Sequence, residues 1–424
     1  MSSLKKLINP NYWSSYVRDI SFQSRGNVLA QIINVIAMPI ITRIFNPEIY
    51  GRYAIAGQLI AGISIFLSYR LEYFIVSNNS TEAAIKHLKL IIRSSFVKLV
   101  FLFSIILILK SFDIPILDFT ILEIALILIL SWAINISIAS QNYVQFHKQF
   151  KTSGNSEIWN KGGFTLLAII LGNIIPSLTT YLIALITGFT GKVIFIFKRI
   201  QFKIRDGFTN LSVTKEINRK ASSLSIIGAI QFFVGFIPLY YLKLKFSLEE
   251  VGFFNIATTL LFLPVGIIAN AIGQVYFQRI SEYFNNNNGL AIYQLTKTTI
   301  TSAAFISSIL FTTVYFLADY IDIFLGSSWK DANEVIKLFC FSSFFSFTSI
   351  TIDRVSFALK KTIYPIVLNF LRLFSVCATI YYSIIKDLNY LDFMQLYVFQ
   401  LCLIYVGEII ISISFSKQHY NLNR

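Results

Sequence analysis

Long apolar runs are the dominant feature of this sequence. Twelve of them come close to the roughly 20 residues that a helix needs to cross the hydrocarbon core of a bilayer. The chain also has 55% hydrophobic and only 13% charged residues, which gives more apolar surface than a soluble domain of 424 residues can cover. We therefore predict an all-α polytopic membrane protein with about twelve transmembrane helices. The runs lie near residues 24–44, 53–75, 94–110, 119–141, 158–175, 178–197, 221–242, 253–276, 297–320, 333–352, 363–385 and 393–416.

The fifth run is the weakest of the twelve. Lys161 and the pair Gly162-Gly163 shorten the strongly apolar part of residues 158–175. We nevertheless count it as a span, because an even number of spans places both termini on one side of the membrane.

Lys and Arg residues are distributed unevenly between the predicted connections. Most of the 36 fall in segments on the side of the N-terminus, and the densest group lies at residues 198–220. Because short basic connections stay in the cytoplasm, we expect both termini to be cytoplasmic. Arg372 is the one basic residue that this assignment leaves inside a span. The basic segment is interpreted as a topology determinant and lipid anchor, and nucleic-acid binding is not expected from it.

A short internal repeat relates the two halves of the chain. Residues 47–56 and 248–257 share Glu, Gly, Ile and Ala at a shift of 201 residues. This shift carries the chain past six predicted spans, so both copies enter the membrane in the same direction. We therefore predict two six-helix bundles related as parallel repeats, residues 1–197 and 221–424, joined by a basic cytoplasmic linker at residues 198–220.

Amide and basic side chains recur inside the predicted spans and at their ends. In the first span Asn27, Gln31 and Asn34 share one face, because their spacings of four and three residues match the helical period. Such amides either join helices or line a wet cavity, and basic residues at span ends either anchor a helix at lipid headgroups or contact an anionic substrate. The candidates for substrate contact in a lumen are Arg25, Asn27, Gln31, Asn34, Arg70, Gln231, Asn255, Gln274 and Arg279.

Arg372 and Glu408 are the deepest charges in the predicted spans of the second half. Their distances from the cytoplasmic ends of spans eleven and twelve differ by one residue. A charge at a helix centre costs roughly 2.5 to 3.5 kcal/mol on insertion scales, so we expect the two side chains to form an ion pair. The pair is either structural or functional. In the functional interpretation Arg372 contacts a phosphate or acidic sugar, and Glu408 releases it or binds a proton.

Signatures of soluble enzymes are not found in this sequence. It has no Walker loop, no G-x-G-x-x-G after a predicted strand, and no Cys or His cluster with metal-ligand spacing. Cys340, Cys377 and Cys402 lie in apolar spans, where cysteines behave as small apolar residues. We therefore expect a protein that is not an enzyme and that uses neither a cofactor nor a metal.

Three short motifs resemble those of bacterial O-antigen flippases of the Wzx type. They are the segment Ile41–Gly51, the run Leu263–Gly266 leading to Gln274–Phe277, and the segment Leu325–Trp329. These flippases share a superfamily with multidrug extruders and the lipid II flippase. The resemblance implies two six-helix bundles that alternately open a central cavity. It also implies transport of an undecaprenyl-diphosphate-linked oligosaccharide from the inner to the outer leaflet.

The resemblance also implies a location and a set of partners. We expect a multi-pass protein of the bacterial cytoplasmic (inner) membrane that acts in the biosynthesis of O-antigen, lipopolysaccharide or capsule. Its expected partners are a lipid-linked oligosaccharide and membrane lipids, with polysaccharide polymerase machinery as a further candidate. Two alternatives stay open: a cation-coupled extruder of small amphipathic compounds in the same fold, and a membrane polysaccharide polymerase of a different class.

Overall fold

The chain is helical throughout the part that the computed structural model describes, which confirms the predicted all-α class. This part comprises residues 10–76, 80–111, 118–202, 207, 215–286, 288–359, 361 and 363–422. Twelve long helices follow one another within it, and shorter helical turns lie between some of them. The long helices are α1 (Pro10–Ile44), α2 (Pro47–Ser68), α3 (Thr81–Ser111), α4 (Ile121–Phe146), α5 (Phe150–Gly172), α6 (Leu178–Ile200), α7 (Lys215–Lys245), α8 (Leu248–Pro264, Val265–Ala269 and Asn270–Asn285), α9 (Gly289–Leu317), α10 (Ala332–Ile352), α11 (Tyr364–Ile385) and α12 (Tyr390–Leu422).

Eleven segments of the described chain are long and apolar enough to cross a membrane. Helix α5 is not among them, because Lys151, Glu157 and Lys161 interrupt its apolar character. The weakest run in the sequence is thus also the weakest span by composition.

The packing of α5 against α1 shows how this polar helix is accommodated. A Cβ on Gly26 of α1 would overlap the backbone of Gly154, and a Cβ on Gly172 would lie 2.7 Å from Ile44. Each helix covers eighteen residues between these contacts, so the two run parallel and in register for about 27 Å. A bilayer core is about 30 Å thick. Helix α5 therefore accompanies α1 through the membrane and forms the twelfth span.

The turns at the two copies of the repeat are capped in the same way. Asn46 Oδ1 accepts a hydrogen bond from the backbone N–H of Ile49 at 3.0 Å. Ser247 Oγ accepts one from the N–H of Glu250 at 3.2 Å, and the Glu250 carboxylate accepts one from the N–H of Ser247 at 2.8 Å. Such caps satisfy N–H groups that a helix start leaves unpaired. Asn46 and Ser247 are separated by the same shift of 201 residues as the repeat.

The contacts within the chain divide it into two units. Unit 1 comprises Met1–Phe45 and Ala56–Ala229, and unit 2 comprises Asn46–Ile55 and Ile230–Arg424. Part of the predicted basic linker, residues 203–206 and 208–214, lies outside the described residues. The predicted bundle boundaries and their relation as parallel repeats stay predictions.

Unit 2 holds both copies of the repeated turn in direct contact. A Cβ on Gly51 would overlap the carbonyl oxygen of Leu248, and a Cβ on Gly252 would overlap that of Pro47. The shift of 201 residues exchanges these two contacts, as happens when equivalent surfaces pack around a local two-fold axis. The absence of a side chain at both glycines permits this close backbone approach.

Each unit has its own apolar core. In unit 1 one cluster of fully buried side chains includes Leu88, Ile91 and Ile196. In unit 2 Trp329 is fully buried and meets the edge of the Tyr50 ring at a centroid distance of 5.0 Å. The motif that contains Trp329 therefore contributes to packing.

Helix α8 is interrupted near its middle. Pro264 has no backbone N–H to donate, and the next five residues form a π-helical turn before the α-helix resumes at Asn270. The Asn270 amide donates to the carbonyl of Gly266 at 3.2 Å, and its oxygen accepts from Arg354 at 3.5 Å. The interruption places a polar side chain beside the segment that follows α10.

Candidate functional site

The predicted ion pair between α11 and α12 is present in unit 2. Arg372 Nε donates to Oε1 of Glu408 at 3.0 Å, and Nη2 donates to the same oxygen. Ser349 Oγ of α10 donates to the other carboxylate oxygen, Oε2. The guanidinium also lies over the ring of Tyr405, with its carbon 5.8 Å from the centroid. Three helices thus meet at one buried carboxylate.

The two members of this pair differ in exposure and in unused hydrogen-bonding capacity. The Arg372 side chain is 31% exposed, whereas that of Glu408 is 6% exposed and has both oxygens bound. In the described part of the chain, Nη1 of Arg372 has no hydrogen-bond partner. A guanidinium presents five N–H donors, so Arg372 can bind an oxyanion while it stays paired with Glu408.

Further polar residues surround the pair. Asn369, three residues before Arg372, is buried and donates to the carbonyl of Pro365 at 2.7 Å. Ser412, four residues after Glu408, is 2% exposed. Both extend the polar faces of their helices.

Asp353, just past the end of α10, adds a second carboxylate near the pair. Burial raises the pKa of Asp353 to about 6, Arg354 opposes this rise, and the negative charge of Glu408 adds to it. The charge of the cluster therefore changes as the pH falls through about 6.

The amide stripe predicted on α1 is only partly buried. Arg25 and Asn27 are exposed, and Gln31 and Asn34 are half-buried. Gln31 Oε1 itself is shielded from solvent and has no hydrogen-bond partner among the described residues. A buried amide oxygen without a donor is costly, so this position favours a water molecule or a polar ligand.

Arg70 lies in the turn that follows α2, where it has a φ of 56°. Its guanidinium is 3.8 Å from the carboxylate of Glu72 and lies 5.7 Å from the centroid of the Tyr73 ring. A Cβ on Gly228 would come within 3.0 Å of its nitrogens, so the side chain is confined on that side. The remaining exposure of 22% leaves Arg70 able to contact a ligand.

The other predicted residues belong to unit 2. Asn255 is half-buried and its amide donates to the carbonyl of Tyr50 at 3.4 Å. Gln231, Gln274 and Arg279 are exposed. Among the predicted site residues, the described contacts join Arg372 with Glu408 and link no other two.

A second buried ion pair, which the sequence analysis does not predict, lies in unit 1. Lys192 of α6 is 3% exposed, and its Nζ donates to Glu157 Oε1 at 2.6 Å and to Gln141 Oε1 at 2.8 Å. The Gln141 amide donates in turn to Ser153 Oγ at 3.2 Å. Helices α4, α5 and α6 are thereby connected through one ammonium group.

The expectation that Arg372 is the one basic residue inside a span is therefore wrong. Lys192 lies eight residues before the end of α6, and hence about 12 Å inside it. Because Lys192 lies near the end of an apolar run, counting along the sequence assigns it to the basic connection that follows. Its carboxylate partner is on the weakly apolar α5, and nothing in the sequence shows that the two helices pack together.

The fold and these buried charges define a class of protein. Apolar helices that bury ion pairs inside each unit are typical of polytopic membrane transporters, since such charges mark substrate or ion pathways. Residues 40–334 match the model of a family described as "Polysaccharide biosynthesis protein". This match covers more than half of the chain, and the protein belongs to that family.

Known proteins similar to this chain include one curated relative and several solved transporters. A capsular polysaccharide biosynthesis protein, CapF of Staphylococcus aureus, is 22% identical over 354 residues, which are 81% of this chain and 86% of CapF. An inward-facing multidrug resistance MATE family transporter of the MOP superfamily superposes with a TM-score of 0.63 at 14% identity, covering 92% of this chain and 96% of the transporter. The lipid II flippase MurJ, in an inward closed conformation, superposes with a TM-score of 0.62 at 14% identity, covering 93% and 87%.

These findings bear on the predictions from sequence. The family match confirms the predicted polysaccharide context, and the superpositions confirm the fold shared by multidrug transporters and lipid flippases. A multi-pass membrane protein is likewise confirmed. The roles of individual residues stay predictions.

Proposed function

We propose that this protein flips an oligosaccharide, carried on undecaprenyl diphosphate, from the inner to the outer leaflet of the bacterial cytoplasmic membrane. Both termini then lie in the cytoplasm, and polysaccharide polymerase machinery receives the product. The substrate joins an anionic diphosphate and many hydroxyl groups to an apolar chain, and its polar parts do not cross hydrocarbon without a lined path. Family membership and the transporter fold support movement of the substrate without chemical change.

The observation that carries this proposal is an arginine with unused donors inside a membrane helix. Glu408 holds Arg372 in place and offsets the cost of burying its charge while no substrate is bound. An arriving phosphate or acidic sugar binds the donors of Arg372 that Glu408 leaves unused, and the negative charge of Glu408 beside it favours its release. The pair thus allows an anion to bind and to leave.

The other predicted residues supply the remaining contacts in this proposal. Basic side chains near helix ends meet the diphosphate at either leaflet, and amides bind sugar hydroxyl groups along the path. The proposed phosphate contacts are Arg25, Arg70 and Arg279, and the proposed sugar contacts are Asn27, Gln31, Asn34, Gln231, Asn255 and Gln274.

Removing the gene from a cell that makes the polysaccharide tests the proposal. We expect surface polysaccharide to disappear and the lipid-linked repeat unit to accumulate with its sugars facing the cytoplasm. Re-expression of the intact chain should restore export, whereas Arg372→Ala should not.

Other outcomes of the same experiment support the alternatives. Unpolymerised repeat units at the cell surface would indicate a polymerase. Normal polysaccharide together with increased sensitivity to amphipathic cations would indicate an extruder, which the fold shared with multidrug transporters also accommodates.

A further inference from the structure

Lys161 lies near the middle of the membrane-spanning part of unit 1. It follows Gly154 by seven residues and precedes Gly172 by eleven, and these glycines mark the two ends of the contact between α1 and α5. The α-carbon of Lys161 is thus about 10 Å from one end of that contact and about 17 Å from the other. An ammonium group at this depth requires a counter-charge.

The carboxylate of Glu157, near Lys161 on α5, already accepts hydrogen bonds from other residues. Glu157 lies one turn before Lys161 on the same face of α5, but its Oε1 accepts the hydrogen bond from Lys192 at 2.6 Å. Its Oε2 accepts one from the Asn160 amide at 3.4 Å. Among the described residues, the ammonium of Lys161 has neither a hydrogen bond nor an ion pair. Two lysines share one glutamate, and one positive charge is left over.

Open space and a polar group without a partner lie around Lys161. A Cβ on Gly162 would meet no atom of the described residues within 4 Å. Thr165, one turn further along the face of Lys161, has a buried hydroxyl with no hydrogen-bond partner in the described chain. A ligand here would find an ammonium and a hydroxyl.

We propose that Lys161 binds an oxyanion of the translocated substrate, and that Glu157 and Lys192 are positioning residues that keep Lys161 available for it. The oxyanion is either a phosphoryl group of the lipid carrier or a carboxylate of an acidic sugar. An oxyanion accepts charge-assisted hydrogen bonds from the ammonium and supplies the missing counter-charge. This inference rests on the proposed function, because it takes its ligand from the substrate.

Binding to the purified full-length protein tests the inference. The affinity of farnesyl diphosphate is compared with that of farnesol, and octyl glucuronide with octyl glucoside, for the wild type, Lys161→Gln and Lys161→Arg. Lys198→Gln is the matched control, because Lys198 is an exposed lysine of the same unit. Lys161→Gln should weaken binding of an anionic probe about tenfold. It should leave the melting temperature and the affinity of the neutral probe unchanged, and Lys161→Arg should retain anion binding.

The two probe pairs distinguish the sources of the oxyanion. Loss of the preference for farnesyl diphosphate assigns it to the carrier, and loss of the preference for octyl glucuronide assigns it to the sugar. If Lys161→Gln keeps both preferences, or if Lys198→Gln loses them equally, the inference is wrong. If gene removal leaves export intact while Lys161→Gln still loses a preference, the proposed function fails and the oxyanion site stands.

Discussion

The guanidinium of Arg372 has N–H donors that Glu408 does not use. These donors are needed if Arg372 contacts the substrate, and they are not needed if the pair is purely structural. A structural pair needs opposite charges at the two positions, in either order. A substrate contact needs the positive charge at position 372, on the more exposed member of the pair.

Exchanging the two charges tests which description holds. Either single change, Arg372→Glu or Glu408→Arg, puts like charges together and should lower the protein level, since breaking a buried pair costs about 3–5 kcal/mol. The double exchange should restore the protein level but not polysaccharide export. Immunoblots of membranes and assays of surface polysaccharide measure the two effects separately. Full recovery of export in the double variant would show that the pair is structural, and unchanged export in Arg372→Ala would remove both roles.

The predictability of single residues from the sequence depends on where their partners lie. The pair of Arg372 and Glu408 is predictable because both charges interrupt strongly apolar runs at matching depths. The pair of Lys192 and Glu157 is not, because one charge lies near the end of a run and the other precedes the weakest run. Apolar patterns locate spans, but they do not show which helices pack together.

At the scale of helices, the apolar runs predict where spans occur but underestimate their length. Helix α3 begins at Thr81, whereas the predicted third span begins near residue 94. Its first turns contain Lys86 and Lys89, which lower the hydropathy without breaking the helix. Helix boundaries depend on capping and backbone hydrogen bonds more than on hydropathy.

The amide stripe of α1 yields a prediction about access to water. In a variant whose native cysteines are replaced by alanine, a single cysteine at Asn27, Gln31 or Asn34 should react with a polar thiol reagent in membranes. Ile36→Cys is the matched control, because residue 36 lies about 180° around the helix from Asn27. It should be protected by lipid. Complete protection at all three amide positions would instead indicate that the stripe is a packing surface.

The contact between the repeated turns yields a prediction about stability. In Gly51→Ala or Gly252→Ala, the new methyl group overlaps a backbone carbonyl oxygen of the other turn. This overlap should force the starts of α2 and α8 apart. Overpacking of this kind costs about 1–3 kcal/mol, so the melting temperature of the purified protein should fall. Gly407→Ala is the control, since in the part of the chain that the structure describes a Cβ there would meet no atom within 4 Å. Equal melting temperatures for all three variants would show that the turns are not in tight contact.

At the scale of the whole molecule, each unit contains a buried ion pair of its own. Unit 1 has Lys192 with Glu157, and unit 2 has Arg372 with Glu408. Stability alone does not account for such pairs, because replacing a buried ion pair by well-packed apolar residues of similar volume often leaves a protein at least as stable. Buried polar groups are expected inside both units if each unit contacts a polar substrate while the substrate crosses the membrane.

Reconstitution with a fluorescent lipid-linked oligosaccharide tests the central claim most directly. The purified protein is placed in liposomes that carry the labelled lipid in both leaflets, and an impermeant quencher is added outside. If the protein flips the lipid, quenching should extend beyond the outer leaflet and reach nearly all of the label. In liposomes that contain the Arg372→Ala variant, quenching should stop at the outer-leaflet fraction. Quenching by the wild type that also stops at that fraction, in vesicles shown to contain folded protein, would contradict the account.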